Sequence, residues 1–407
     1  MRRPIIIVAS LVVLGATAVP ARAETVGIPG PFRGSAVTSR GAEATGQKPE
    51  SKLFYTSDGV WWAALGLAKD VTPGVYLFRL TPSGWSPVLL LSGSDPWAKA
   101  DTLYDPATKH LLVSLRDNKP PTDTNARVST LRRLSYDGAG GWTETAPPTT
   151  ITKANVETIT IARDSVGRIW TTFEQGLVIK AGYLSVGATA FTYLQVSVTG
   201  VTTDDIAAVV AYDPGRIGVL WSDQTSQRFI FASRSDSASL TRSSFTREEA
   251  FGAATGCPVT TSTACADDHL NIKAVGGTLY AAVKTSLNDA LVPDPGDPLI
   301  VLLRHTTAGW VSTEVGDVAA NVTRPIVVVD PTADLVHVFA NLLGGDTYVW
   351  HASASSPVFS TPQPWTTDDT YTLSNPTSTK QTVSVASGLV ATTSTPGAPH
   401  RYWYNIG

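Results

Sequence analysis

A strand–turn–strand unit recurs seven times along this chain of 407 residues, and it limits the possible folds more than any other feature. In each copy an apolar segment is followed by a turn containing Asp-Pro, Asp-x-x-Gly or Gly-Gly, and then by a second apolar segment. The copies follow one another at about 45–60 residues, which is the period of propeller blades. Their first segments begin at Lys52, Lys99, Glu157, Asp204, His269, Arg324 and Lys380.

Composition supports strands throughout the repeat region. The chain is rich in Thr, Ser, Val, Gly and Trp and poor in Lys and Glu, and no window has a sustained helical period. We therefore predict an all-β, single-domain, seven-bladed β-propeller over residues 51–407. Its core should be divided among the gaps between neighbouring blades, which the 11 tryptophans are large enough to fill.

The last blade is short of one strand. Only 27 residues follow Lys380, and they fit three strands at 380–386, 389–393 and 402–406. We expect part of residues 24–50, around 31–36, to supply the fourth strand and close the ring. The alternative is a three-stranded last blade, with residues 24–50 forming a flexible, exposed arm.

The N-terminus has the pattern of an export signal. Arginines at positions 2 and 3 precede an apolar run from Ile5 to Val19, and Ala21-Arg22-Ala23 follows as a cleavage site. We predict a signal peptide over residues 1–23 and a secreted, extracellular protein. Its loss moves the net charge from −3 to −6 by removing three arginines, so nucleic acid is not an expected partner. No later segment offers about 18 consecutive apolar residues, so no membrane association is expected, and we predict a monomer.

Two cysteines, Cys257 and Cys265, are the only ones in the chain. In an oxidising compartment they most simply form a disulfide. A zinc site with His269 as third ligand is the alternative, but the tight Cys-x-x-Cys spacing of structural zinc sites is absent. No Asp-x-Asp-x-Asp calcium loop is present either, so we predict no metal and no cofactor.

Polar residues stand just before the first segment of most copies. If these segments are the innermost strands, the residues before them converge on the axis at one end of the propeller. A concave site with convergent polar groups is a default ligand site, although single charges at strand ends are also ordinary edge residues. The predicted ring consists of Lys99, Asp101, Glu157, Asp204, Asp205, Asp267, Asp268, His269, Thr323, Arg324, Thr379, Lys380 and Gln381.

The fifth copy concentrates the most chemistry. Strand alternation should turn His269, Asn271 and Lys273 to one side and Leu270 and Ile272 to the other. An unpaired lysine inside an innermost strand is costly to bury. Lys273 should therefore either form a structural ion pair with a neighbouring blade or line a polar channel.

Two reactions could use such a ring. Glycoside hydrolysis needs two carboxyl groups across the scissile bond, for which Glu157, Asp205 and Asp268 are candidates. Polysaccharide β-elimination needs a base and cations that neutralise a uronate carboxylate. His269 would be this base. The predicted catalytic residues are thus His269, Asp268, Asp205 and Glu157, and the predicted substrate-binding residues are Arg324, Lys380, Lys273, Gln381, Lys99 and Asp101.

Several segments of the repeat region, among them residues 157–164, 267–273 and 323–327, resemble exported bacterial proteins related to the sialidase-like (BNR-repeat) propellers. The resemblance covers most of residues 50–407 and implies the propeller fold, export and glycan ligands, with no assigned activity. The Asp box of sialidases is only partly matched by residues 163–170, and the ring offers one arginine, Arg324, where a sialidase needs three. No Gly-x-Ser-x-Gly elbow supports a serine hydrolase.

These observations lead to a hypothesis with one alternative. We expect a secreted protein that binds, and by lyase or hydrolase chemistry cleaves, an acidic polysaccharide at an axial propeller site. The alternative is a non-catalytic carbohydrate- or protein-binding propeller of the cell surface.

Overall fold

The structure is a computed structural model, and it describes residues 26–32, 45–46, 48–67, 72, 74–93, 99–116, 128–198, 200–258, 265–343, 345–396 and 400–407. The predicted signal peptide, residues 1–23, lies outside this part of the chain. Seven four-stranded antiparallel sheets surround one axis, which confirms the predicted seven-bladed β-propeller. Among the described residues, no helix is long and apolar enough to cross a membrane.

Each blade is a meander whose first strand contacts the first strand of the next blade, so this strand is innermost. From the axis outward, blade 1 consists of Leu53–Tyr55, Trp61–Leu67, Gly74–Thr81 and Gly84–Gly93, and blade 2 consists of Lys99–Asp105, His110–Arg116, Ser129–Tyr136 and Trp142–Thr152. Blade 3 consists of Thr160–Arg163, Ile169–Glu174, Ile179–Leu184 and Thr192–Gln195, and blade 4 consists of Ala207–Tyr212, Arg216–Asp223, Arg228–Ser235 and Thr246–Phe251. Blade 5 consists of Leu270–Val275, Thr278–Lys284, Pro298–Thr306 and Gly309–Asp317, and blade 6 consists of Val322–Asp330, Leu335–Leu342, Thr347–Ser353 and Gln363–Thr366. Blade 7 consists of Ser374–Thr377, Val390–Ser394, His400–Ile406 and Val26–Phe32.

The helical content of the described residues is limited to four short 3₁₀ helices in connections. They are Arg242–Ser244, Ala253–Thr255, Leu287–Asp289 and Val318–Ala320. The disulfide between Cys257 and Cys265 is present in the connection that leads from blade 4 to blade 5. Because the two sulfurs are bonded to each other, they are not available as zinc ligands.

The last blade is completed from the N-terminal part of the chain. Val26–Phe32 is its outermost strand and pairs antiparallel with His400–Ile406. The segment that closes the ring therefore overlaps the beginning of the predicted 31–36 stretch and lies mostly before it. This pairing joins the two ends of the described chain in one sheet, so the ring has no open seam at blade 7.

One predicted strand of this blade is wrong. Its innermost strand is Ser374–Thr377, whereas residues 380–386 form no ladder with the second strand, Val390–Ser394. Thr379 instead forms a parallel bridge with Leu53 of blade 1. The chain leaves blade 7 at this point because Thr379 pairs with blade 1 and Lys380 binds Asp101 near the axis.

The core lies between blades, as expected for this fold. Separate apolar clusters fill the spaces between neighbouring sheets. Trp62, Trp170 and Trp221 are fully buried in them. Asp-Pro turns connect the first two strands of two blades, where the Oδ1 atoms of Asp105 and Asp330 accept backbone hydrogen bonds two and three residues later. These turns keep the innermost strands in register around the axis.

Candidate functional site: the entry rim

We call the end of the axial channel where the innermost strands begin the entry rim, and the end where they finish the exit rim. Residues 48–52, here called the strap, cross the channel at the entry rim before blade 1 begins. Its contacts join blades 2, 3 and 5: Ser51 N to Asp101 Oδ1 at 2.7 Å, Ile159 N to Glu50 Oε1 at 3.2 Å, and Asn271 Nδ2 to Pro49 O at 3.3 Å. The end of the predicted flexible arm is thus a buried axial element, and the expectation of an exposed arm fails for residues 48–50.

The strap carries buried charges that are paired with each other and with blade 2. Lys52 Nζ lies 2.8 Å from Glu50 Oε2 and 3.0 Å from the Ala100 carbonyl oxygen. Arg116 Nε lies 4.0 Å from Glu50 Oε1. All of these side chains are buried, and burial lowers the pKa of Lys52. The carboxylate of Glu50 therefore compensates two cations that have little access to water.

A carboxylate cluster surrounds the first residue of the strap. One carboxylate oxygen from each of Glu157, Asp204 and Asp268 lies within 4.8 Å of the others. Lys48 Nζ forms an ion pair with Asp268 and lies 3.9 Å from Glu157 Oε1. Burial lowers the pKa of Lys48, whereas Glu157, Asp267 and Asp204 oppose this shift. The cluster could hold a metal cation. In this structure the ammonium group of Lys48 lies among the carboxylates and supplies the positive charge.

His269 is held next to this cluster by a second carboxylate. Its Nδ1 atom contacts Asp267 Oδ1 and lies 2.7 Å from Asp268 Oδ1. Asp267 also pairs with Lys284 at the end of the second strand of blade 5. His269 and Lys284 lower the pKa of the Asp267 carboxyl, so it remains ionised. Because both neighbours of Nδ1 are acceptors, the imidazole proton resides on Nδ1.

The opposite nitrogen of this imidazole is therefore a lone-pair acceptor. Burial, reinforced by the charge of Lys48, lowers the pKa of His269 to about 4, so the ring is neutral at pH 7. Its Nε2 atom is buried and has no hydrogen-bond partner among the described residues. A neutral histidine oriented by a carboxylate, with a free Nε2, is the usual arrangement of a general base.

Arg324 enters the same rim from blade 6 through a β-bulge. Register shifts between Thr323 and Ile326, so that Arg324 and Pro325 lie opposite the single residue Ala340. Arg324 has φ of 58°, a left-handed conformation that costs a non-glycine residue about 1 kcal/mol or more. Its charge lowers the pKa of Lys48, so Arg324 lies within electrostatic reach of the carboxylate cluster. Bulges of this kind re-aim a side chain, and they are common next to functional sites.

Blade 7 repeats the bulge of blade 6. Asn375 has φ of 52°, and Asn375 and Pro376 lie opposite Thr393, between the pairs Ser374–Ser394 and Thr377–Thr392. Asn375 is thus the counterpart of Arg324. The alignment that put Thr379, Lys380 and Gln381 at this place in the ring is wrong by five residues, because residues 380–386 had been taken for the innermost strand.

Three of the predicted substrate-binding residues lie deeper along the axis. Lys380 Nζ pairs with Asp101, which is fully buried, and lies 2.5 Å from the Ile161 carbonyl oxygen. Lys273 Nζ donates to Ser51 Oγ of the strap at 2.5 Å. The strap therefore separates Lys273, Lys380 and Asp101 from the entry rim. The expectation that Lys380 faces His269 across one pocket, together with Asp205, Glu157 and Arg324, is wrong for Lys380.

Other predicted residues have structural contacts. Asp205 is fully buried, where its Oδ2 accepts from Thr202 N at 2.7 Å and its Oδ1 from Gln224 N at 3.0 Å. Gln381 pairs with both backbone groups of Tyr55 at 2.9 and 3.0 Å. Lys99 is buried at the start of the innermost strand of blade 2. The structure therefore assembles Glu157, Asp268, His269 and Arg324 at one rim, whereas Asp205 and Gln381 are engaged by backbone groups elsewhere.

Sequence reasoning missed Lys48, Asn375 and the pairing of Lys284 with Asp267. The signal for Lys48 was present, since Lys48-Pro49-Glu50-Ser51-Lys52 occupies the place before the first innermost strand that is polar in the other blades. The signal for Asn375 was the repeated pair Arg324-Pro325 and Asn375-Pro376. Both require comparison of the blades at the level of single positions.

Comparisons with known proteins support the fold. No family model matches the chain, and no curated protein matches it. A solved structure of an ulvan lyase, a polysaccharide lyase bound to a GlcA(1-4)Rha3S repeat, is similar at 11% identity with a TM-score of 0.57, covering 94% of this chain and 96% of that one. At this identity the similarity shows a common fold alone.

Two further solved structures are similar at lower scores. A second polysaccharide lyase has 9% identity and a TM-score of 0.48, and the match covers 93% of this chain and 94% of that one. An α-L-arabinanase of Penicillium chrysogenum complexed with arabinobiose has 11% identity and a TM-score of 0.47, and the match covers 82% of this chain and 99% of that one.

Proposed function

We propose that the protein binds an acidic polysaccharide across the entry rim and cleaves it by β-elimination, with His269 as the base. The observation that carries the proposal is the neutral imidazole of His269, which Asp267 orients and whose Nε2 atom has no partner among the described residues. The similarity in fold to an ulvan lyase over nearly the whole chain adds support.

In the proposed reaction, Nε2 of His269 removes the proton alpha to the carboxylate of a uronate. The electron pair of this C–H bond forms a carbon–carbon double bond, and the glycosidic C–O bond at the next carbon breaks. The departing oxygen takes a proton from solvent at the exposed side of the rim. Arg324 neutralises the uronate carboxylate, which stabilises the negative charge that develops there. The products are an unsaturated uronate and a new sugar hydroxyl.

Access to Nε2 requires a change at Lys48. The Nε2 atom is buried, and the ammonium of Lys48 lies close enough to lower the His269 pKa. We propose that an incoming uronate attracts Lys48 away from Asp268, since ion pairs with Asp268 and Glu157 hold the ammonium group there. Lys48 then adds a second cation beside the substrate carboxylate.

Hydrolysis is less compatible with this geometry. An inverting glycosidase holds its two carboxyl groups roughly 6.5–9.5 Å apart, and a retaining one roughly 5–5.5 Å apart. One oxygen of each carboxylate in the cluster lies within 4.8 Å of the others, and a lysine stands among them. The position of Lys48 among the three carboxylates favours a site for a cation over a pair of carboxyl groups on either side of a sugar bond.

A non-catalytic glycan-binding propeller is the second candidate. The observation in its favour is that Lys48 already pairs with carboxylates of the cluster, so that part of their negative charge is neutralised without a ligand. Incubation with uronate-containing and neutral polysaccharides separates the candidates, with ultraviolet absorbance reporting unsaturated products and reducing ends reporting hydrolysis. Under the lyase proposal, absorbance rises with uronate substrates and His269→Gln abolishes the rise while binding is retained.

The matched control is His337→Gln, which alters a buried histidine of blade 6 outside the rim. It should retain the turnover of the wild-type protein. Binding of a uronate glycan without unsaturated products or new reducing ends would refute the lyase proposal and support the binding module. Equal loss of turnover in both variants would attribute the effect to folding and refute the role of His269.

A further inference from the structure

The exit rim contains an axial cavity that is separate from the entry-rim site. Its volume is about 340 Å³, and the last residues of the innermost strands of blades 2 to 5 line it together with Lys380 of blade 7. This volume is at the lower end of the roughly 300–1,000 Å³ typical of ligand pockets. Its inner end is the side lined by Lys380, which pairs with Asp101, and Asp101 in turn accepts a hydrogen bond from Ser51 N of the strap at 2.7 Å.

The walls of this cavity are apolar. They come mainly from Leu103, Ile161, Val209, Val210, Ala211 and Ala274. At the mouth, Arg163 Nη1 and Asp105 Oδ2 form an ion pair of 3.0 Å that crosses from blade 3 to blade 2. Tyr104, which also lines the cavity, has a buried hydroxyl with no hydrogen-bond partner among the described residues.

The inner end of the cavity has an excess of positive charge. Lys380 and the adjacent Lys273 share one carboxylate, Asp101, to which Lys380 binds directly. Lys273 has the neutral Ser51 hydroxyl as its hydrogen-bond partner. The carboxylate of Asp101 also accepts hydrogen bonds from the backbone N–H groups of Ser51 and Ile161. The other nearby carboxylate, Glu50, is 2.8 Å from Lys52 and is engaged there.

Two ammonium groups beside one carboxylate are costly in a buried place, and an anion would relieve this cost. Repulsion by Lys380, added to burial, lowers the pKa of Lys273 to about 7. The positive charge of Lys380, which disfavours protonation of Lys273, also favours the binding of an anion. The apolar walls, in contrast, exclude a ligand that is charged or hydrated along its length.

We propose that the exit-rim cavity binds a small monocarboxylate with an apolar body, whose carboxylate meets Lys380 and whose body lies against the walls of blades 3 to 5. The site is independent of the polysaccharide proposed for the entry rim, because the strap separates the two. The volume of about 340 Å³ limits the ligand to a small molecule.

Calorimetric titration of the full protein with hexanoate, hexanol and hexylammonium tests the site. Hexanoate should bind at least about tenfold more tightly than hexanol, because a charge-assisted hydrogen bond contributes on the order of 1.5–3 kcal/mol. Hexylammonium should not bind. Hexanoate should also raise the pKa of Lys273, so that binding near neutral pH takes up protons, and the measured heat should depend on the ionisation enthalpy of the buffer.

Two variants separate the charge from the cavity. Lys380→Gln should reduce hexanoate affinity to that of hexanol, whereas Lys153→Gln, a matched change of an exposed lysine, should leave it unchanged. Ala211→Leu, which fills the cavity without touching Lys380, should abolish binding of both molecules. Absence of hexanoate binding, equal affinities for hexanoate and hexanol, or unchanged binding in either Lys380→Gln or Ala211→Leu would overturn the proposal.

Discussion

The strap gives the sharpest stability prediction, because it turns an apparent N-terminal arm into part of the axial core. The perturbation is Glu50→Ala. Glu50 and Lys52 each expose only 1% of their side chains, and Arg116 exposes 5%. Removing this carboxylate leaves Lys52 and Arg116 without it in a place where water has little access. It also removes the acceptor of the Ile159 N–H group.

The expected loss follows from these contacts. Breaking a buried ion pair by removing one partner typically costs about 3–5 kcal/mol, since the remaining charge stays buried. Glu50→Ala should therefore lower the free energy of unfolding by this amount. The double variant Glu50→Ala with Lys52→Met should recover part of the loss, because it removes one stranded cation together with its partner.

Urea denaturation followed by tryptophan fluorescence measures this effect. The matched control is Glu144→Ala, which breaks the Arg132–Glu144 pair, whose side chains expose 20% and 34%. This partly exposed pair should contribute no more than about 1 kcal/mol. If Glu50→Ala cost no more than Glu144→Ala, or if Lys52→Met in addition recovered nothing, the description of the strap as a buried axial element would be refuted.

Three further predictions concern the entry rim and its approach. Lys48→Ala should raise the pKa of His269 above about 4, because it removes the cation that lowers it after burial, and a pH titration of the histidine NMR signals that left it unchanged would contradict this contact. Since the folded state keeps His269 neutral, the unfolded chain takes up its proton first as the pH falls from 6.5 to about 4, so His269 should contribute a stability loss of roughly 3 kcal/mol over this window. Burial also lowers the pKa of His337 and His351, and these residues add to the decline. Chemical denaturation at several pH values should show this decline in the wild-type protein and a shallower one in His269→Gln; identical slopes would be inconsistent with a buried neutral imidazole. Replacement of Cys257 and Cys265 by serine should lower stability by roughly 2–3 kcal/mol, because the disulfide closes a loop with a sequence separation of 8, and an unchanged thermal midpoint would show that this loop does not matter for folding.

Much of the fold could be predicted because it depends on local patterns that recur. Seven hairpins with Asp-Pro or Gly-containing turns define the blade number. Six of the seven innermost strands begin within three residues of the predicted start of their segment. The error in blade 7 has a physical cause. Residues 380–386 are apolar and polar in alternation, but Lys380 is held by Asp101 across the axis, and Thr379 pairs with blade 1.

The site was less accessible to sequence reasoning. The position of His269, Asp268 and Glu157 at one rim follows from the repeat, since equivalent positions converge on the axis. The direction of each side chain does not. Asp205 turns to the backbone of its own blade because Thr202 and Gln224 offer N–H groups within reach. The bulge at Arg324 and the strap are long-range features that no local pattern reveals.

The central claim is that an acidic glycan binds at the entry rim with its reacting carbon at Nε2 of His269. The most direct test is a crystal structure of the inactive variant His269→Asn with a bound uronate oligosaccharide. The account predicts a uronate carboxylate on Arg324, the ammonium of Lys48 displaced from Asp268, and the C–H bond alpha to the carboxylate directed at the site vacated by Nε2. A glycan bound at the exit rim or along the outer strands, with Lys48 still on Asp268, would contradict it.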